Sequence, residues 1–148
     1  MYNKILVPID IVEDELNQKV IKHVETLVSF NQPSKPEIHF LSVLPNLEIF
    51  FGIEIAALPE SQQDSEERSR VALELLKEII KKVNIPNGQI TCKIGISPTK
   101  EETLSYASDI DADLILIGSH SPNSTSYLLG STAASIVRHA KMTVLVAR

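Results

Sequence analysis

Leu114-Ile115-Leu116-Ile117 is an uninterrupted apolar run that stops at Gly118, and the residues before it place Leu104, Ala107 and Ile110 at three-residue spacing. A run that short and that apolar reads as a strand covered on both faces. A sheet covered on both faces needs helices between its strands, so one such unit already points to an α/β architecture. The unit then recurs along the chain.

Ile5 to Ile9 is a first buried strand with Pro8 near its end, where a missing N–H is tolerated. Leu16, Val20, Ile21, Val24, Leu27 and Val28 form a 3.6-residue stripe, with Asp14 and Glu15 in the first turn and Asn31 and Pro33 ending the helix. Ile38 to Leu44 is the second strand. Residues 46–58 show no period, and Pro59 to Ser65 lead into a helix with the stripe Ala72, Leu75, Leu76, Ile79, Ile80 and Val83. After the turn Pro86-Asn87-Gly88, Ile90, Cys92, Ile94 and Ile96 alternate with polar or small residues, as an edge strand does. Ser97-Pro98 has the form of an N-cap followed by proline at the first helical position. Ser131 or Thr132 caps a last helix, and Val144-Leu145-Val146 closes as a fifth strand. Five strands alternating with about four helices predict a doubly wound parallel sheet, Rossmann-like, in a single domain over 1–148.

Composition narrows the function. With 14 Lys+Arg against 19 Asp+Glu the formal charge is −5, and a nucleic-acid partner would call for a basic stripe. The lone Cys92 makes no internal disulfide, and the four histidines show no zinc spacing. The apolar stretch near the N-terminus is too short for a signal-peptide core, and no run is long enough to span a membrane, so the expected address is cytoplasmic.

Open parallel sheets bind ligands beyond the carboxyl ends of their strands, where strand order reverses. The strand ends here carry Pro8-Ile9-Asp10, Ser42-Val43 and Ile117-Gly118-Ser119-His120. The last opens a segment with hydroxyls at Ser119, Ser121, Ser124, Thr125, Ser126, Ser131 and Thr132, closing on Gly130-Ser131-Thr132 at a helix start, where free N–H groups and the dipole favour an anion. Residues 101–137 contain no Lys or Arg, so a phosphate here would rest on backbone N–H groups, hydroxyls and a divalent cation. The competing reading is that these hydroxyls serve only loop and cap hydrogen bonds.

From Lys4-Ile5-Leu6-Val7-Pro8-Ile9-Asp10 to Val144-Leu145-Val146 the chain resembles a universal stress protein. Tyr127 to Ser131 and Val137 to Ala140 resemble the F-type bacterial members. The resemblance implies strand order 3-2-1-4-5 and homodimers. It also implies ATP bound through a loop of Gly, two residues, Gly, nine residues, Gly, then Ser or Thr. This chain departs from that loop: Ser121 stands where the second glycine belongs, and eight residues separate it from Gly130. Serine does not take a positive φ as readily as glycine, so the loop path differs. F-type members share the shortened loop and are associated with ATP.

Carried over by residue, the resemblance implies that Asp10 accepts from ribose or adenine, that Val43 offers its backbone to the base, and that Pro8 and Ile9 flank it. Ile117 and Gly118 would border the ribose, with Ser119 and His120 along the loop and Gly130, Ser131 and Thr132 on the phosphates, the ATP carrying Mg²⁺. The alternative for Asp10 is that it turns the chain into the first helix. Strand five (Val144, Leu145, Val146) is the expected dimer edge, with higher oligomers open.

Three functions compete: a nucleotide-binding stress-response module, a slow ATP hydrolase using the same site, and a nucleotide-free dimeric interaction protein. No Walker lysine is present, and Gly118-Ser119-His120-Ser121 is not a hydrolase elbow. The apolar segment Leu47 to Ile55, with Phe50 and Phe51, reads as a loop folded on its own domain, a lid beside the base, or an oligomer contact.

Overall fold

The computed structural model describes residues 1–45, 59–119 and 129–148. In chain order the elements are β1 (Lys4–Pro8), α1 (Asp14–Phe30), β2 (Glu37–Leu44), α2 (Pro59–Ile80), a 3₁₀ turn (Asn87–Gln89), β3 (Ile90–Ile96), α3 (Thr99–Asp109), β4 (Leu114–Gly118), α4 (Ser131–His139) and β5 (Thr143–Ala147). The five strands pair in parallel in the order β3-β2-β1-β4-β5. Order therefore reverses between β1 and β4, which pair through Ile5 with Leu114 and Leu6 with Ile115.

The strand period of two sorts side chains onto the two faces. Ile5, Val7, Ile38, Phe40, Leu114 and Leu116 face one core, completed by Val20, Val24 and Val28 of α1 and Leu76 and Ile80 of α2. Leu6, Leu41, Ile115 and Ile117 face the other, with Tyr106 and Ala107 of α3 and Ala133 and Ile136 of α4. The second core also holds a polar pair: buried His39 and Tyr106 meet at 3.0 Å between Nδ1 and Oη, and the Lys93 ammonium lies 4.2 Å from the centre of the Tyr106 ring.

The structure corrects the sequence reading at several ends. α2 begins at Pro59, before the apolar stripe starts, because residues 59–67 suit a helix while offering no apolar period. Leu75 is 49% exposed, since Ala72, Leu76 and Ile80 already fill that face, and Val83 lies past the helix in the turn that follows. Pro98 is the N-cap of α3 and not its first residue: its ψ of 140° is extended, and its carbonyl accepts the Glu102 N–H. α4 is capped by Gly130, with Ser131 as the first helical residue. The segment 46–58 lies outside the described residues.

Candidate functional site

The carboxyl ends of β1, β2 and β4 border a cavity of about 620 Å³, within the range of small-molecule sites. It stands at the β1–β4 reversal, between the N-terminal turns of α1 and α4. Pro8, Ile9, Asp10, Val43, Ile117, Gly118, Ser119, Gly130, Ser131 and Thr132 all line it. His120 lies outside the described residues. The wall also includes Glu13, Leu16, Asn17 and Val20 at α1, Leu41 on β2, Thr99 at the start of α3, and Leu129 and Ala133 beside Gly130 and Thr132.

On the β1 side the turn is held by its own polar groups. The Asp10 carboxylate accepts the Val12 N–H at 3.1 Å, two residues on, which is the Asx-turn pattern. The Asp10 carbonyl accepts the Glu13 N–H at 3.1 Å and the side-chain amide of Asn17. Asp10 thus turns the chain into α1, as one of its two sequence readings has it, and also lines the cavity. Asn17 is 3% exposed, and it was not foreseen as part of the site. Its signal was available: 17, 20, 24 and 28 share one face of α1, and a polar residue in that stripe must be buried with a partner.

On the β4 side Gly118 is hemmed in. A Cβ there would stand 2.8 Å from both Leu16 Cγ and Val20 Cγ2, so α1 packs directly over this backbone. Ser119 follows, its N–H donating to the Ala147 carbonyl and its Oγ accepting the Gly130 N–H, each at 2.8 Å. α4 then starts with no side-chain cap. The N–H groups of Ser131, Thr132 and Ala133 belong to a first turn, where no intrahelical acceptor exists. Ser131 and Thr132 are exposed.

The described lining contains two acidic residues, Asp10 and Glu13, and no lysine, arginine or histidine. Positive potential comes from the bordering helix N-termini, of which α4 alone has no acidic residue in its first turn. No group of three His, Cys, Asp or Glu among the described residues could hold a metal ion. The arrangement can take an anion at α4 and a hydrogen-bond donor at Asp10, with the apolar Ile9, Val43 and Leu41 between strand ends.

The model of the universal stress protein family matches residues 1–148. The chain belongs to that family. Universal stress protein G of Shigella flexneri is 32% identical over the full length of both chains, and its counterpart in Salmonella typhimurium is equally similar. The solved hypothetical protein MJ0577 aligns over 99% of this chain and 96% of its own, with a TM-score of 0.76 at 26% identity. Two further solved universal stress proteins share the fold at 17% identity. One is in complex with cAMP, with a TM-score of 0.61 over 99% and 97% of the two chains. The other, from Archaeoglobus fulgidus, is in complex with dAMP, with a TM-score of 0.59 over 99% and 98%. As in other members of a doubly wound class, the cavity of this universal stress protein lies outside the strand ends at the reversal. No helix among the described residues is long and apolar enough to cross a membrane.

Proposed function

We propose that this universal stress protein binds an adenine nucleotide, ATP carrying Mg²⁺, in the cavity at the β1–β4 reversal, and acts by sensing or sequestering it. The observation that carries the reading is the uncapped N-terminus of α4 facing a cavity of ligand size. Such an end has N–H donors and a positive dipole to offer, and an anion supplies what it lacks. Ser131 and Thr132 would hold the phosphates, on the first turn that Gly130 opens, since the Gly130 N–H is given to Ser119. Asp10 would accept from the ribose or base, and Val43, Pro8 and Ile9 would border the ring. The cAMP and dAMP complexes of the same fold favour an adenine nucleotide. The donor set fits a polyphosphate. The metal would arrive on the phosphates, whose charge no basic residue of the described lining offsets. In this reading the working unit is a cytoplasmic homodimer joined along β5, whose Val144, Leu145 and Val146 are partly exposed in the single chain.

The test begins with mass spectrometry of ligand released on denaturing the purified protein. Titration of ligand-free protein with ATP and Mg²⁺ follows. At 100 Kd, linkage raises stability by about 2.7 kcal/mol, seen as a higher Tm. Chelating the divalent ion should weaken ATP far more than adenosine. No shift at millimolar ATP refutes the reading, and turnover above about 1 s⁻¹ would make the protein a hydrolase instead.

A further inference from the structure

Resting on the nucleotide reading, we propose that Ser119 is a positioning residue: its hydroxyl fixes the phosphate-facing end of α4 relative to the sheet. Ser119 is 6% exposed and comes directly after β4. Its N–H donates to the carbonyl of Ala147, itself buried at the end of β5, so its backbone is tied to the β4–β5 pair. Its Oγ accepts the N–H of Gly130, eleven residues away in sequence. Gly130 is the N-cap of α4, and its carbonyl accepts the Ala134 N–H at 2.9 Å. One side chain therefore joins the sheet to the first turn of the helix.

The consequence is geometric. α4 is also held by Ala133, in its first turn, and by Ile136, three residues on, both buried against the second core. Removing the Ser119 hydroxyl leaves that packing in place, so the helix persists while its N-cap loses the hydrogen bond that ties it to the end of β4. Hydrogen bonds weaken steeply beyond normal length and angle, so donors that must meet a phosphate are sensitive to a small displacement. Pro8, Ile9, Asp10 and Val43 stand on β1, the turn after it, and β2, and do not depend on this tether. Loss of the hydroxyl should thus be felt in proportion to the phosphates and not by the nucleoside. A serine that merely braced the fold would affect all ligands alike.

The experiment compares wild type, Ser119→Ala and Ser119→Thr for binding of adenosine and of ATP with Mg²⁺ by calorimetry. Amide exchange at Gly130 and Ala134 is measured without ligand. For Ser119→Ala we expect ATP affinity to fall about tenfold, the scale of one lost hydrogen bond, with adenosine within about twofold. Gly130 exchange should accelerate, and Ser119→Thr should recover both properties. Equal losses for the two ligands, or an unchanged ATP affinity, overturn the proposal. Should Ser119→Ala fold poorly, Ser119→Cys, with its weak sulfur acceptor, gives the same comparison. Should wild type bind no adenine compound, the nucleotide reading fails, and Ser119 as ligand-positioning residue falls with it. Gly130 exchange then still reports whether the tether exists. Nucleotide binding by wild type with no change at Gly130 overturns the Ser119 proposal alone.

Discussion

Of the helix N-termini that border the cavity, those of α1 and α4 are finished in opposite ways. At the β1–α1 turn the polar groups answer one another: Asp10 accepts from Val12, Glu13 and Asn17 within a few residues. At α4, among the described residues, the Gly130 N–H is answered by Ser119, and the helix begins without a side-chain cap hydrogen bond. The first end is hydrogen-bonded within itself and presents a carboxylate. The second presents the N–H groups of a first turn, the donors that the proposed phosphates would meet. A site of this kind can separate recognition from retention, because a fixed acceptor discriminates by geometry while helix-end donors attract any anion.

The largest expected effect comes from disturbing the α1 end. Gly118→Ala would place a Cβ 2.8 Å from Leu16 and Val20, pushing α1 and its turn away from β4. We expect a loss of about 1–3 kcal/mol in urea unfolding, the usual cost of overpacking. A variant of wild-type stability would show that α1 yields easily, and the contrast between the two ends would break. Next comes a pair of substitutions expected to act on different parts of one ligand. Asp10→Ala removes the Val12 contact and, in the nucleotide reading, weakens adenosine and ATP alike by about 1–3 kcal/mol. Thr132→Asp puts a negative charge on the first turn of α4. It should stabilise the ligand-free protein by about 0.3–1 kcal/mol and still weaken ATP, leaving adenosine unchanged. If Thr132→Asp weakened both ligands equally, the division between the ends would be wrong.

The smallest effect is a control away from both ends. Burial pushes the Cys92 thiol above its usual pKa. Burial first, and then the charge of Cys92, does the same to the Tyr106 phenol. Both groups hold their protons more tightly folded than unfolded. Their contribution is therefore complete below the unfolded values, about 8.5 and 10, and is lost as pH rises from there through the folded ones. Urea unfolding between pH 8 and 10.5 should show declining stability, with a shallower decline in Cys92→Ala. An unchanged slope in that variant would remove the thiol from the account.

The sheet was legible from sequence because strand and helix periods are imposed by burial. Ile5 to Ile9, Ile38 to Leu44 and Leu114 to Ile117 matched strands to within a residue or so. Ends were less legible. Gly130 is the N-cap in place of Ser131 because its ψ of 151° is extended while its carbonyl already accepts the Ala134 N–H, and its own N–H goes to Ser119, a contact across eleven residues that local spacing does not encode. Tyr106 and Thr103, both on the buried side of α3, were passed over in favour of Leu104 and Ala107, since a helix of mixed composition gives little periodic contrast. Much of the cavity lining was legible because strand ends at a reversal attract attention on topology alone. Asn17 was legible only in part: its place in the 17, 20, 24 and 28 stripe marks it as buried, but its partner, the Asp10 carbonyl, is brought within reach only by the turn.

The two edges of the sheet are unequal. β3 carries Lys93, whose ammonium is drawn over the Tyr106 ring, while β5 reads Thr143-Val144-Leu145-Val146-Ala147 with no charge at all. A charged residue within an edge strand discourages a second sheet from adding there, and an uncharged one does not. In polymer terms, the proposed β5 pairing would make the chain a chain-stopper as well as a monomer. Two copies joined along β5 would turn a blunt β3 edge outward on each side, and growth would end at two.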